Sequence, residues 1–217
     1  LDVRDLPQCW NPKSGWLATA NHNIIPDGYK HQIGYEFAAP YRFQRIPDRL
    51  AAQEKWTLED FRAVQHDDTS VPGVALAKLL KGVDLQDKNL EPFAKLLTEW
   101  DGRLSVDSKA GPLYAIWLRE LQPALYAPHV PKELVTPLVT LNGLPNVLPV
   151  FEKPDARWFG AHAQARRDKL MRETFPAAVE KLKKLPEAQQ QRWGSLHTAT
   201  FKHPLAARDA GIAKAFD

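Results

Sequence analysis

Methionine and cysteine are almost missing from this chain, with one of each in 217 residues. Cys9 has no possible partner within the chain, so no internal disulfide forms and the redox compartment stays open. It reads as a small, buried, apolar side chain. Long apolar runs are missing too: none approaches the ~20 residues that cross a bilayer, so no membrane partner is expected. No basic-then-apolar export segment opens the sequence. It starts at Leu1 rather than Met, which predicts a processed or excised piece. Charge of one sign is scarce, with a formal net charge of +3. The densest basic stretch, from Arg166 to Lys184, is diluted by Asp168, Glu173 and Glu180 and reads as a solvated helix face. Nucleic acid is therefore not an expected partner. There is no internal repeat and no low-complexity segment.

Several catalytic patterns are lacking as well. No Gly-x-Ser-x-Gly occurs, and Ser14, Ser70, Ser105, Ser108 and Ser195 all stand in turn-like or cap-like contexts, which leaves a serine triad unsupported. The separation of His197 and His203 fits neither a helical zinc pair nor a zinc finger. Asp67-Asp68 and Asp84/Asp87 lack the alternating oxygen ligands of a calcium loop. No metal or cofactor site is assigned to these residues.

What is present describes an ordinary globular chain. Hydrophobic residues make up 44% and charged residues 25%, and a single domain of this length buries roughly 70% of its unfolded surface without staples. Residues 1–50 are aromatic and punctuated by Gly and Pro. Asn11 to Gly15 reads as a turn, Trp16–Ala20 as a short apolar strand, and Gln32–Phe37 as a second extended segment, with a Pro-Asp-Gly turn between them. From Ile46 onward the pattern is helical. Thr57 and Asp60 predict a capped helix start. Leu90, Phe93, Leu97 and Trp100 form one helical stripe, ended by Asp101-Gly102. Ala110, Leu113, Tyr114, Trp117, Leu118 and Leu121 form another at i, i+3, i+4, i+7, i+8 and i+11. Phe175 to Leu185 marks a further helix with Pro176 at its start or kinking it. The Pro-rich stretch 123–160 predicts short helices and surface connections, suited to wrapping another part of a larger protein. The fold class is thus α+β: a strand and loop segment over 1–50 and a mainly helical region over 51–217, together one incomplete domain.

Three polar clusters can carry chemistry. Asn21-His22-Asn23 directly follows the first apolar stretch. Tyr41-Arg42-Phe43-Gln44-Arg45 sets two guanidiniums among aromatics, suited to anchoring a carboxylate or an internal acid. Trp193-Gly194-Ser195-Leu196-His197 precedes Phe201-Lys202-His203-Pro204-Leu205.

Taken together and in order, these segments resemble the penicillin acylase family of N-terminal-nucleophile hydrolases, specifically an internal piece of its large chain. Asn11-Pro12-Lys13-Ser14-Gly15-Trp16-Leu17-Ala18-Thr19-Ala20-Asn21 is similar to the family's Asn-Pro segment. Ala39-Pro40-Tyr41-Arg42-Phe43-Gln44-Arg45-Ile46 resembles its Pro-Tyr-Arg segment, and Gln65-His66-Asp67 resembles its helix ending in Gln-x-Asp. Trp100-Asp101-Gly102, Trp193-Gly194 with His197, and the 201–205 segment follow in family order.

The resemblance implies a four-layer αββα sandwich and a precursor that cuts itself to expose a nucleophilic Ser. The α-amine of that Ser acts as its base in attacking a linear amide of an N-acyl substrate, either a penicillin-type or an acyl-homoserine lactone-type compound. It implies Asn21 as the oxyanion-hole donor and Arg42 as the residue organising the site, with Asn23 and Arg45 supporting. Gln65 and Asp67 fall at a helix–sheet junction. Leu1 has no hydroxyl or thiol, so the nucleophile is absent from this chain, which is expected to be inactive alone. The implied partners are the small alpha chain and the remainder of the beta chain. Calcium is possible in the complete enzyme, although His31 and Gln32 stand where some relatives place a carboxylate. A periplasmic zymogen is the implied form. Two other readings compete: a non-catalytic helical scaffold or interaction module derived from the same family, and a small free-standing enzyme with His197 or His203 as base.

Overall fold

The computed structural model describes residues 1–141, 144–199, 208, 211 and 214. Among the described residues eleven α-helices follow one another: α1 (Tyr41–Leu50), α2 (Leu58–Gln65), α3 (Val71–Leu80), α4 (Glu91–Thr98), α5 (Ala110–Tyr126), α6 (Lys132–Leu141), α7 (Leu144–Glu152), α8 (Ala156–Phe159), α9 (Ala163–Lys183), α10 (Glu187–Gln191) and α11 (Trp193–Leu196).

The fold is mainly helical, and the expected α+β class with strands of an αββα sandwich is corrected: no strand occurs among the described residues. Among the described residues there is one isolated antiparallel bridge, Thr69 to Arg103. The correction has a clear physical cause. Trp16–Ala20 does keep a two-residue alternation, with Trp16, Ala18 and Ala20 turned inward and Leu17 and Thr19 outward. A strand also needs a neighbour to exchange backbone hydrogen bonds with. From residue 6 to residue 40, one backbone hydrogen bond among the described residues joins positions distant in sequence, from the Ala38 amide to the Asn21 carbonyl at 2.7 Å. Neither Trp16–Ala20 nor Gln32–Phe37 finds a ladder partner among the described residues.

Local turn chemistry is followed closely. Gly15 and Gly28 take φ of 74° and 75°, and the amides of Gly15 and Tyr29 close the two turns onto the carbonyls of Pro12 and Pro26. Thr57 caps α2 through a reciprocal box: its hydroxyl accepts from the Asp60 amide, and the Asp60 carboxylate accepts from the Thr57 amide at 2.8 Å. Cys9 departs from expectation. It is exposed, because no side chain from residue 1 to residue 19 is buried in this arrangement.

The core lies between α5 and α9. Trp117 is fully buried and meets Phe175 edge-on, with ring centroids 5.2 Å apart. Its indole N–H donates to the Thr174 hydroxyl at 3.1 Å, which in turn donates to the Leu170 carbonyl. The indole therefore buries its ring without leaving its donor unpaired. Leu76 and Leu80 of α3, Leu97 of α4, and Leu148 and Phe151 of α7 complete this core. The Pro-rich stretch thus supplies core residues to this chain itself. Helix α9 begins at Ala163, twelve residues before the Phe175 that opens its apolar stripe, and Pro176 lies inside it. No described helix is long and apolar enough to cross a membrane.

Candidate functional site

Two connections carry rigidity from this core to the N-terminal segment. The first ties the loop before α3 to the loop after α4. The Ser70 amide donates to the Gly102 carbonyl at 2.8 Å, and the Leu104 amide donates to the Asp68 carbonyl at 3.1 Å. Gly102 makes the approach possible. Its φ is +85°, and a Cβ there would stand 2.3 Å from a Val74 methyl.

The second connection is Asp67, held at the edge of that loop. Arg45 of α1 grips its carboxylate with Nε at 3.0 Å and Nη2 at 2.8 Å, and the Thr69 amide donates to it at 3.1 Å. Arg49 adds a longer ion pair at 3.6 Å. Burial alone would push the Asp67 carboxyl up. The hydrogen bonds from Arg45 and Thr69 outweigh it and hold the carboxyl below its usual range. Arg45 is therefore the arginine that anchors an internal acid. Asp67 fixes helix to loop, with no sheet at the junction among the described residues.

Arg42, Arg45 and Arg49 stand at i, i+3 and i+7 of α1, so they share one face. That face lines a cleft of ≈ 560 Å³, together with Ala20, Val64, Gln65, Ser70 and Leu104. Arg42 has no acid partner among the described residues. Its Nη2 donates to the Ala20 carbonyl and to Asn21 Oδ1, each at 3.0 Å. A guanidinium has only donors, so the atom facing it must be the carboxamide oxygen. The Asn21 Nδ2 is left as the free end of the amide and makes no hydrogen bond among the described residues. Asn21 itself is exposed and sits at φ of 59°, a left-handed conformation that Asn tolerates. The structure thus brings Asn21 and Arg42 into direct contact.

The remaining predicted residues are placed elsewhere or act locally. Asn23 Oδ1 accepts from the Ile25 amide at 2.9 Å, closing a turn. His197 is exposed and stacks on Trp193, with ring centroids 4.6 Å apart and no acid beside it among the described residues. His203 lies outside the described residues. The basic stretch is largely paired, Lys181 with Glu120 at 2.5 Å and Lys183 with Glu180 at 2.9 Å. Among the described residues no cluster of three or more His, Cys, Asp or Glu side chains could hold a metal. One contact had no signature in the sequence. The His22 ring lies flat on Phe43, centroids 3.5 Å apart and 12° from parallel. Only the adjacency of His22 to Asn21 and of Phe43 to Arg42 could have hinted at it.

The family model described as penicillin amidase matches residues 1–216. The penicillin acylase 2 proenzyme of Pseudomonas sp. (strain SE83) is 25% identical over 217 residues, covering 94% of this chain and 26% of that protein. An acyl-homoserine lactone acylase QuiP of Pseudomonas syringae pv. tomato is 27% identical, covering 94% of this chain and 28% of that protein. Its counterpart in Pseudomonas syringae pv. syringae reaches 33% identity over a shorter stretch, 52% of this chain. The chain therefore spans about a quarter of the length of these curated relatives.

Proposed function

The chain belongs to the penicillin amidase family, and on that premise we propose that it is part of an amidohydrolase that cleaves linear amide bonds of N-acyl compounds. In this reading Asn21 is an oxyanion-hole donor and Arg42 aims it. The nucleophile comes from residues outside this chain, and so does most of the acyl pocket. A small alpha chain and further beta-chain sequence are the proposed partners, with the bacterial periplasm as the compartment. The substrate class is shared with the relatives named as penicillin and acyl-homoserine lactone acylases.

The observation that carries the reading is the 3.0 Å bond from Arg42 Nη2 to Asn21 Oδ1. When a hydroxyl nucleophile adds to an amide carbonyl, the carbonyl oxygen gains a full negative charge in the tetrahedral species. A neutral N–H donor aimed at that oxygen gains most as charge develops, so it lowers the barrier more than it tightens ground-state binding. Arg42 contributes in two ways. It fixes which end of the carboxamide faces out, and its charge polarises the amide so that Nδ2–H donates more strongly. As the tetrahedral species collapses, the C–N bond breaks and the amine leaves with the proton taken from the nucleophile's hydroxyl; water then cleaves the resulting ester to release the acid and restore the hydroxyl.

The test uses the complete protein and a series of chromogenic N-acyl 4-nitroanilides. Asn21→Ala should lower kcat by roughly 10²–10³ with KM little changed. Unchanged turnover would remove Asn21 from the mechanism. The 217-residue chain alone should release no nitroaniline, and product release that His197→Ala abolishes would replace this reading with a free-standing histidine enzyme.

A further inference from the structure

Two consecutive residues of the N-terminal turn meet two consecutive residues of α1. Asn21 is held by Arg42, and His22 is held by Phe43. The two attachments differ in kind and direction. Side chains at successive helical positions leave the axis about 100° apart. The Arg42 contact alone would act as a pivot about which the turn can rock. A flat ring against Phe43, on a different side of the helix, removes that rotation. The amide of Ala38 closes the same turn from behind, donating to the Asn21 carbonyl at 2.7 Å.

His22 is also held without the bond that usually justifies a histidine. Its Nδ1 is buried and has no hydrogen-bond partner among the described residues. A buried polar atom left unpaired costs stability, so the ring is retained here for its flat face rather than its nitrogen. We propose that His22 is a positioning residue that acts through Asn21: its stack on Phe43 sets the direction of the Asn21 carboxamide and therefore the quality of the oxyanion donor. The inference rests on the catalytic assignment of Asn21 made above.

Because a ring and not a base is needed, His22→Phe should preserve what His22→Ala destroys. In the complete protein, with the same 4-nitroanilides, His22→Ala should lower kcat about tenfold with KM little changed, since small misplacements of a catalytic group cost rates of this order or more. His22→Phe should stay within about twofold of the parent. In an Asn21→Ala background, His22→Ala should add little, because residues acting as a unit are not additive. A structural readout accompanies the kinetics: amide exchange at Ala38 should quicken several-fold in His22→Ala and return to the parent rate in His22→Phe.

The outcomes separate the two claims. If Asn21→Ala leaves kcat unchanged, the catalytic assignment fails, whatever His22 does. If Asn21→Ala lowers kcat and His22→Ala matches the parent, the positioning role alone is overturned. It is equally overturned if His22→Phe is as damaging as His22→Ala, if the effects of Asn21→Ala and His22→Ala multiply, or if Ala38 exchange is the same in all variants.

Discussion

Asp67 bears more of this site than any residue named for chemistry. Its carboxylate joins α1 to the loop that the core holds in place, and so sets where Arg42 stands. Its folded pKa is depressed, so the free acid is disfavoured in the folded chain. The linkage sign follows from that direction. The stabilisation is fully present above the unfolded value of about 3.9 and fades as pH falls through the folded value. Asp67→Asn should therefore lower the melting temperature at pH 7, at a cost of about 1–3 kcal/mol for a charged hydrogen-bonded pair broken at a part-buried site. The gap between parent and variant should narrow below about pH 4. A gap that stays constant down to pH 2 in thermal melts would mean the carboxylate does not hold α1. The sequence made Arg45 legible as an anchor for an acid, but not which acid. The pairing spans a chain separation of 22 residues and depends on how the loop folds back.

At the scale of elements, the sequence revealed helices where a stripe of apolar residues repeats locally. The α5 stripe from Ala110 to Leu121 is the clearest instance, and Trp117 and Leu121 are fully buried. The first half of α9 was legible only as a solvated basic face, because its buried side carries Arg167 beside Met171 rather than a continuous apolar stripe. Arg167 is buried there and donates to the Phe151 carbonyl at 3.0 Å, at the end of α7, while Thr174 receives the Trp117 indole. No hydropathy pattern announces such positions. The apolar stretches before α1 misled in the other direction: alternation is a local property, but a ladder depends on a distant partner. Gly102 offers an element-level test. Gly102→Ala should cost roughly 2 kcal/mol, from a strained φ together with the clash against Val74. Adding Val74→Ala should recover the steric part only, and full recovery in denaturant titrations would show that the backbone conformation carries no penalty there.

The molecule as a whole divides unevenly. Of residues 1–39 only Ala20 is buried, whereas α3, α4, α5, α7 and α9 enclose the core. Deleting residues 1–39 should leave the far-ultraviolet helix signal in place and move the melting temperature by less than about 4 °C, the shift expected for ~1 kcal/mol in a chain of this size. Loss of a cooperative transition would show that the segment belongs to the folding unit after all. The same segment displays Trp10 at 94% and Tyr35 at 88% exposure, large aromatic surfaces of the kind that a folded protein usually covers. Of the site, the Asn21 and Arg42 motifs were readable in sequence order, while their contact and the ring beneath them needed three dimensions.

The exposed thiol of Cys9 gives this arrangement a practical handle. With no second cysteine to compete, a maleimide dye sensitive to polarity would attach at one point, beside Trp10. Its emission would then report, in real time and without any need for turnover, whether the proposed partner chains cover that arm.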